Sequence, residues 1–554
     1  MLNYNMHQIS LHMATYYEPE ESHPAQYINS LVEELNIDDF GYGVGRPRDY
    51  DTKMLLKLVL FAYSRSQFSC RQIELFAKEN KVAMWLTQEL EPSYRTVARF
   101  IVSEELESLI LVTMTKFSKY LKQHGLISNG IYIDGTKILA NANKYSFVWK
   151  KSTLRYADLN KQHTIQLISE IKHAIDNNNF EDCTESEVDD LIARLEQHLD
   201  KLNHEIDDAP QISPNPKKAQ RRTIKKQLRA LVERKQKKLK YEEQLNIMGS
   251  RNSMSKTDLD ATFMRVKEDP MMNGQLKPAY NLQIATNNQF VLGYTLTPNP
   301  TDTRTLIPFL EQLQTNGLLD STIIADAGYG SEENYRFIYD TLNSSTALIP
   351  YGTMLKENSR KWKSDDTKVM NWDYYEKDDY YIDPKNVRFN FSRYSRQSDK
   401  NGFIRSFKIY KAEKYDLNNN IIPAALTKSA QLRKVTINPE WEYYKNKIKN
   451  ELSNPSNAAL YRKRKIDVES CFGYLKASLK FTRFTVRGNR KVRCQMFVAL
   501  MAMNMNKLAG VLANLLAFFK IKKIQMEINN ISIWIFILRV ILSQPLLFRN
   551  YSHI

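Results

Sequence analysis

Cysteine is scarce in this chain. Four occur in 554 residues, Cys70, Cys183, Cys471 and Cys494, and no two stand at CxxC spacing. That argues against a zinc site and suits reduced thiols in a cytosolic protein. A secretory leader is not expected, because MLNYNMHQISLHMATYY has no basic segment followed by an apolar run. The apolar run ISIWIFILRVILSQPLLF, residues 531–548, carries Arg539 near its middle and Pro545 near its end. A buried charge and a helix breaker disfavour a membrane span, so a docked or oligomerising helix is expected. Acidic residues are in deficit: 62 Asp plus Glu against 79 Lys plus Arg leaves +17. Such a surplus favours nucleic acid, or another anionic surface, as partner. Hydrophobic residues at 42% and charged residues at 25% give the composition of a soluble globular protein, too long for one ordinary core.

Apolar periodicity predicts a compact helical region over residues 53–124, within an N-terminal helical domain expected over 20–125. Ser69 and Gln72 form a capping-box pattern before one helix; Pro92 and Ser93 open another, PSYRTVARFI, with Arg95 and Arg99 four apart on one face. A helix, a short connection and a second helix with exposed basic residues is the helix-turn-helix pattern. An α/β segment is expected over 126–350, beginning with the β-type run IYIDGTKI and its Asp134-Gly135 turn signal. It is interrupted at 155–248 by a charged helical hairpin around the breaker-rich DDAPQISPNPKK, with a densely basic second arm. That arm reads as a solvated helix or as a DNA-contacting or dimerising element. Asn287 and Asn288 suit a hairpin turn, Asp302 a helix N-cap, and Ser331 a cap for the first turn bearing Glu332 and Glu333. Residues 351–455 read as a tyrosine-rich, β-rich insertion, 456–515 as a long helix, the basic stretch FTRFTVRGNRKVR with Arg487, and a Met-rich helix, and 516–554 as an apolar tail.

Three stretches each hold one carboxylate: IYIDGTKI with Asp134, IIADAGYG with Asp326, and RKIDVESCFGYLK with Glu469. Two aspartates at strand ends and a glutamate on a helix can surround a pair of magnesium ions, which prefer oxygen ligands and keep several waters. Such a pair clamps the attacking and leaving oxygens of an in-line phosphoryl transfer. Asp258 and Asp260 are competing acids of the same region. Around Glu469, Arg462, Lys465, Lys476 and Lys480 recur at one- and two-turn spacing. They read either as i,i+4 pairing or as cations holding DNA phosphates beside a metal-reaching acid.

On these motifs the chain resembles a DDE transposase of a bacterial insertion sequence, most closely the IS1182 type in the broad IS4/IS5-like group. The stretches YIDGTKILANANKYSFVWKKS, SKTDLDATFMRVKEDPMMNGQLKPAYNLQIAT, NPTDTRTLIPFLEQL, IIADAGYGSEENY and RKIDVESCFGYLK carry the resemblance, which runs from about residue 20 to 510. It implies an α/β, ribonuclease H-like mixed-sheet catalytic core with an N-terminal helical, helix-turn-helix-like domain and the two insertions. It implies Asp134, Asp326 and Glu469 as catalytic and metal-binding acids, with two Mg2+ ions that Mn2+ can replace and no small-molecule cofactor. Lys476 matches the lysine after the glutamate in the related Y-R-E-K signature. Counting back from Glu469, the signature's arginine position falls on Lys465 and its tyrosine position on Arg462, with Tyr461 and Arg464 each one residue away. The DNA-binding candidates are Arg95, Arg99, Arg462, Arg464, Lys465, Lys476, Lys480 and Arg487. The implied partners are double-stranded DNA, as terminal inverted repeats and target, and a second subunit in the DNA complex. The expected setting is cytoplasmic and nucleoid-associated. A catalytically inactive, transposase-derived DNA-binding protein or repressor is the alternative.

Overall fold

The structure is a computed structural model. It describes residues 17–35, 50–175, 188–208, 215–266, 274–342, 345–415 and 420–526, with side chains to residue 172 in the second span and to 515 in the last. The apolar run at 531–548 lies outside the described residues. The chain divides into two compact units. One is Met1–Ile138, Asn281–Val486 and Arg490–Ile554; the other is Leu139–Tyr280 with Arg487–Asn489.

The strands in chain order are β1 (Ile131–Leu139), β2 (Phe147–Trp149), β3 (Ser253–Ser255), β4 (Thr262–Arg265), β5 (Leu276–Asn287), β6 (Phe290–Thr297), β7 (Thr322–Ala325) and β8 (Thr346–Leu348). They continue as β9 (Asp373–Tyr375), β10 (Tyr380–Ile382), β11 (Arg388–Ser398), β12 (Ile404–Ala412) and β13 (Lys434–Ile437).

In the first unit the central sheet runs β6–β5–β1–β7–β8. β5 and β6 form an antiparallel hairpin, whereas β1, β7 and β8 are parallel. The hairpin turn is Asn288-Gln289, one residue later than the sequence suggests. Both residues have positive φ, 49° and 64°, so the tight turn twists with its strands. Ile131, Ile133, Ile323 and Ala325 point to one face, against the helix Leu306–Thr315 with Phe309, Leu310 and Leu313. Burying that face removes apolar area from water and fixes the register, since a one-residue slip would turn Asp134 into the core. The edge of β6 is covered by the helix Asn489–Met526. Asn504 accepts from the Val291 N–H at 2.9 Å and donates to its carbonyl at 2.8 Å, mimicking a neighbouring strand. Among the described residues, the segment Asn489–Leu515 is long and apolar enough to cross a membrane, yet 67% of its apolar window is buried within the protein.

The N-terminal helices belong to this unit. Ser69 and Gln72 do form the capping box. Helices Cys70–Glu79 and Tyr94–Ile101 are not joined by a short turn, however, because the helix Lys81–Thr87 intervenes. Asn80 ends one helix and caps the next by accepting from Ala83 N, which is why no break shows in the sequence there. Pro92 precedes the cap, and Ser93 is the N-cap residue. The two outer helices meet through Glu74, which accepts from the Tyr94 N–H, and Arg71, which stacks on the Tyr94 ring. Arg95 and Arg99 are exposed. Strands β9 to β13 form an antiparallel sheet in the order β13–β12–β11–β10–β9, around Trp372, Phe389 and Tyr410.

In the second unit β4 pairs with the first residues of β5, and β2 pairs with β3. Three helices, Lys150–Ile175, Val188–Asp207 and Pro216–Met248, share one apolar core, where a two-armed hairpin was expected. The first of them supplies Ile168 and Ile171 to that core. Asp258 and Asp260 are structural here: Asp258 accepts from the Tyr280 hydroxyl and Gly488 N, and Asp260 from Asn489 N.

Candidate active site

Asp134 does not stand at a strand exit. β1 continues through it to Leu139, and Gly135 is not a turn residue. A Cβ at Gly135 would lie 2.2 Å from Gln283 Nε2 and 3.0 Å from Asp302 Oδ1, so the side chain is missing because a buried amide fills its place. Asp326 follows the short parallel strand β7 and caps the turn after it, accepting from Ala327 N at 2.7 Å. Because β1 and β7 are hydrogen-bonded neighbours, with Ile133 opposite Ala325, the next residue of each is an aspartate. Topology alone thus sets the two acids side by side.

The cation between them is Arg464. Its guanidinium reaches Asp134 Oδ2 at 3.2 Å and Asp326 Oδ1 at 3.7 Å. Its side chain is 13% exposed, against 21% for Asp134 and 51% for Asp326. Tyr461 lies under the same guanidinium. Burial raises the Asp134 carboxyl above its usual range. The Gly135 N–H and Arg464 oppose the rise, while Asp326 and Asp302 add to it. Lys476 donates to Thr136 Oγ1 at 2.7 Å, two residues along β1 from Asp134.

The helix bearing these cations explains the apparent misfit in spacing. It runs from Pro455 but passes through a π segment, Lys465–Glu469, and a second, Tyr474–Ser478. A π turn holds one residue more than an α turn. Arg464, not Lys465, therefore takes the inward position, and Lys465 and Arg462 are exposed. The expected stripe of Arg462, Lys465, Lys476 and Lys480 around Glu469 assumed an unbroken α-helix; Lys476 is half-buried, whereas the others are exposed. Arg464 and Lys476 are twelve residues apart; with one absorbed, that approaches three α turns, at about 3.6 residues each. The π segment is pinned by Asp467, whose Oδ1 accepts from Thr286 Oγ1 at 2.7 Å and from Gln289 N in the hairpin turn at 3.1 Å. Glu469 is exposed, as are Lys480 and Arg487; Lys480 ends its helix with φ of 60°. Arg487 donates to the Asn141 carbonyl within the second unit.

Behind Asp134 is a polar network that sequence reasoning missed. Asp302 Oδ1 accepts from Asn281 Nδ2 at 2.8 Å, Gln283 Nε2 at 3.1 Å and Lys137 Nζ at 3.4 Å. The Tyr329 hydroxyl donates to Gln283 Oε1. Asp302 was expected as an N-cap, but it faces this network from a 3-10 turn. The available signal was Asn281 and Gln283, two polar residues alternating in a strand whose neighbours are all buried. Ser331 does cap the helix carrying Glu332 and Glu333, as expected.

Among the described residues, no three acidic, histidine or cysteine side chains converge closely enough to hold a metal. Asp134 and Asp326 do converge, on one positive group, and carboxylate oxygens are the donors magnesium prefers. The aspartate pair therefore fits a divalent cation, and Glu469 stands outside the cluster. Two family models match the chain: a Transposase DDE domain over residues 251–505 and a Transposase domain (DUF772) over residues 13–103.

The chain carries a transposase DDE domain together with a second transposase domain. The pairing of these two domains is typical of the IS1182 family. The DDE domain implies a ribonuclease H-like fold, and the chain has a mixed α/β sheet. No curated protein and no solved structure matched the chain.

Proposed function

We propose that this transposase binds the ends of its own insertion element and catalyses strand cleavage and strand transfer. The observation that carries the reading is the aspartate pair on adjacent parallel strands, held by an arginine from the later helix. Asp134, Asp326 and Glu469 are the proposed acids. The aspartates would hold divalent metal, and the helix with Glu469 would supply the third carboxylate. Bound Mg2+, or Mn2+ in its place, supplies an activated nucleophile and charge stabilisation for phosphoryl transfer. Within the protein, Gly135 N–H and Arg464 orient the Asp134 carboxylate, and the Asp302–Gln283–Tyr329 network keeps the strand behind it rigid. Lys476 and Arg464 are the proposed phosphate contacts beside the cleaved bond. Arg462, Lys465, Lys480 and Arg487 present further exposed cations. The helical segment 20–125, with Arg95 and Arg99 exposed, is the proposed reader of the terminal repeats, and phosphate contacts add salt-sensitive affinity. Joining two ends in one event calls for a homodimer in the DNA complex. The setting is cytoplasmic, at the nucleoid.

A catalytically inactive, transposase-derived DNA-binding protein is the second reading, favoured by the position of Glu469 outside the aspartate pair. Purified protein with its element ends, in magnesium and in EDTA, tests both. Metal-dependent nicking at the boundary followed by joined product supports the transposase reaction. Tight end binding without cutting, in a folded preparation, supports the remnant.

A further inference from the structure

The helix Pro216–Met248 has twelve Lys and Arg against three Glu, and no acidic residue occurs between Asp208 and Glu233. Its apolar side is accounted for. Ile224 and Leu231, seven apart, are buried against Leu191, Leu195 and Leu202 of the helix Val188–Asp207. That neighbour is acidic and takes two of the cations: Lys217 pairs with Glu205 at 2.9 Å and Lys235 with Asp189 at 2.5 Å. Lys218, Arg222, Lys225 and Arg229 follow at spacings of four, three and four, so they share a face, with Lys226 beside them. All five are exposed. Among the described residues none has an ion-pair partner.

Like charges four apart on a helix repel and weaken it. A helix that needed only solubility would mix signs, as Val188–Asp207 does with Arg194 and Asp190. The segregation is the informative point: acids sit on one partner helix, and five uncompensated cations span about 16 Å of the outer face at 1.5 Å per residue. Duplex DNA presents one negative charge per about 1.7 Å of axis, and neutralising it releases counterions. A second copy of this chain would bring like charges together at the same face.

We infer that the outer face of this helix, at Lys218, Arg222, Lys225, Lys226 and Arg229, is a sequence-independent binding surface for the phosphate backbone of duplex DNA. The inference rests on the transposase reading and adds a contact in the second unit, away from the acids and from the N-terminal helices in sequence.

The test uses the full chain with all five residues changed to Gln, titrated against a non-element duplex over about 50 to 200 mM salt. Each phosphate-contacting cation contributes about 0.9 to the slope of log K against log salt, so the slope should fall by about two to four. Affinity at the low-salt end should drop at least about tenfold, uniformly across sequences. A companion carrying Arg222→Lys and Arg229→Lys keeps the charge and should bind as wild type, which separates charge from folding. Unchanged slope and affinity in the Gln variant would overturn the inference while leaving the transposase reading intact. Wild-type protein that binds no DNA at the low-salt end would sink both. Self-association of the wild type that is lost in the Gln variant would assign the face to a second copy and overturn the DNA surface.

Discussion

Replacing Gly135 with Ala probes whether Asp134 is held from behind. The new Cβ would lie 2.2 Å from Gln283 Nε2 and 2.9 Å from its Cδ. Ordinary contact needs about 3.4 Å, so the amide would have to retreat by roughly 1 Å, in a core that transmits strain rather than absorbing it. Gln283 is fully buried and committed to Asn281, Asp302 and Tyr329. Its retreat would strand donors and acceptors that cost about 1–3 kcal/mol when left unpaired, added to about 1–3 kcal/mol for overpacking. Some relaxation is available on the exposed side of Asp302, so a net loss of about 2–4 kcal/mol is expected. At about 2–4 °C per kcal/mol, Tm should fall by roughly 5–15 °C. The strand carrying Asp134 shifts with it, and cutting should drop on the order of a hundredfold. Thermal melts and strand cleavage are the assays. The double variant Gly135→Ala with Gln283→Ala removes the clash and should be less destabilised than the sum of the singles. A Gly135→Ala protein with wild-type Tm and wild-type cutting would refute the close-approach argument.

Asp134→Asn should abolish cutting while stabilising the fold at neutral pH. Burial raises the Asp134 pKa, so the native state binds the proton more tightly than the unfolded chain, and its destabilising effect is fully present above the folded pKa. The Tm advantage of the variant should shrink as pH falls through the folded pKa towards the unfolded value near 3.9; an advantage independent of pH would contradict this. Arg464→Gln leaves two neighbouring carboxylates without their shared cation and should cost about 1–3 kcal/mol at pH 7. The deficit should narrow in acid, and millimolar Mg2+ should recover part of it in melts; a variant as stable as wild type would discount the bridge. Deleting the exposed Ile466 should turn the π segment into an α turn, keeping Arg464, Asp467 and Glu469 in register. Melting within a few degrees of wild type, with cutting retained, is expected, whereas loss of the Arg464 contacts and of cutting would show the π turn to be required.

Much of the architecture is legible along the chain. Ile131 and Ile133 against Tyr132 and Asp134 declare a strand face, the short apolar run before Asp326 declares a buried strand, and the Ser69–Gln72 pattern declares a helix start. Local periodicity and capping are nearest-neighbour properties, so they survive in one dimension. The three helices of the second unit were harder, because the sparse apolar residues of Lys150–Ile175 find their partners in a core shared with two helices distant in sequence. The helix at Lys81–Thr87 was hidden because Asn80 serves two helices without a break.

The sequence by itself determined the basic balance, the acids and their order, and the residue types that magnesium and phosphate chemistry need. Tertiary structure decided which of them meet. Parallel pairing of β1 with β7 put Asp134 beside Asp326 across 192 residues of chain. The π turn, pinned by buried Asp467, turned Arg464 inward and Lys465 outward, a choice that spacing alone assigned the other way. Gly135 looked like a turn and proved to be space taken by Gln283. Contacts of this kind depend on groups far apart in the chain, and packing against them overrides the local preference that a sequence displays.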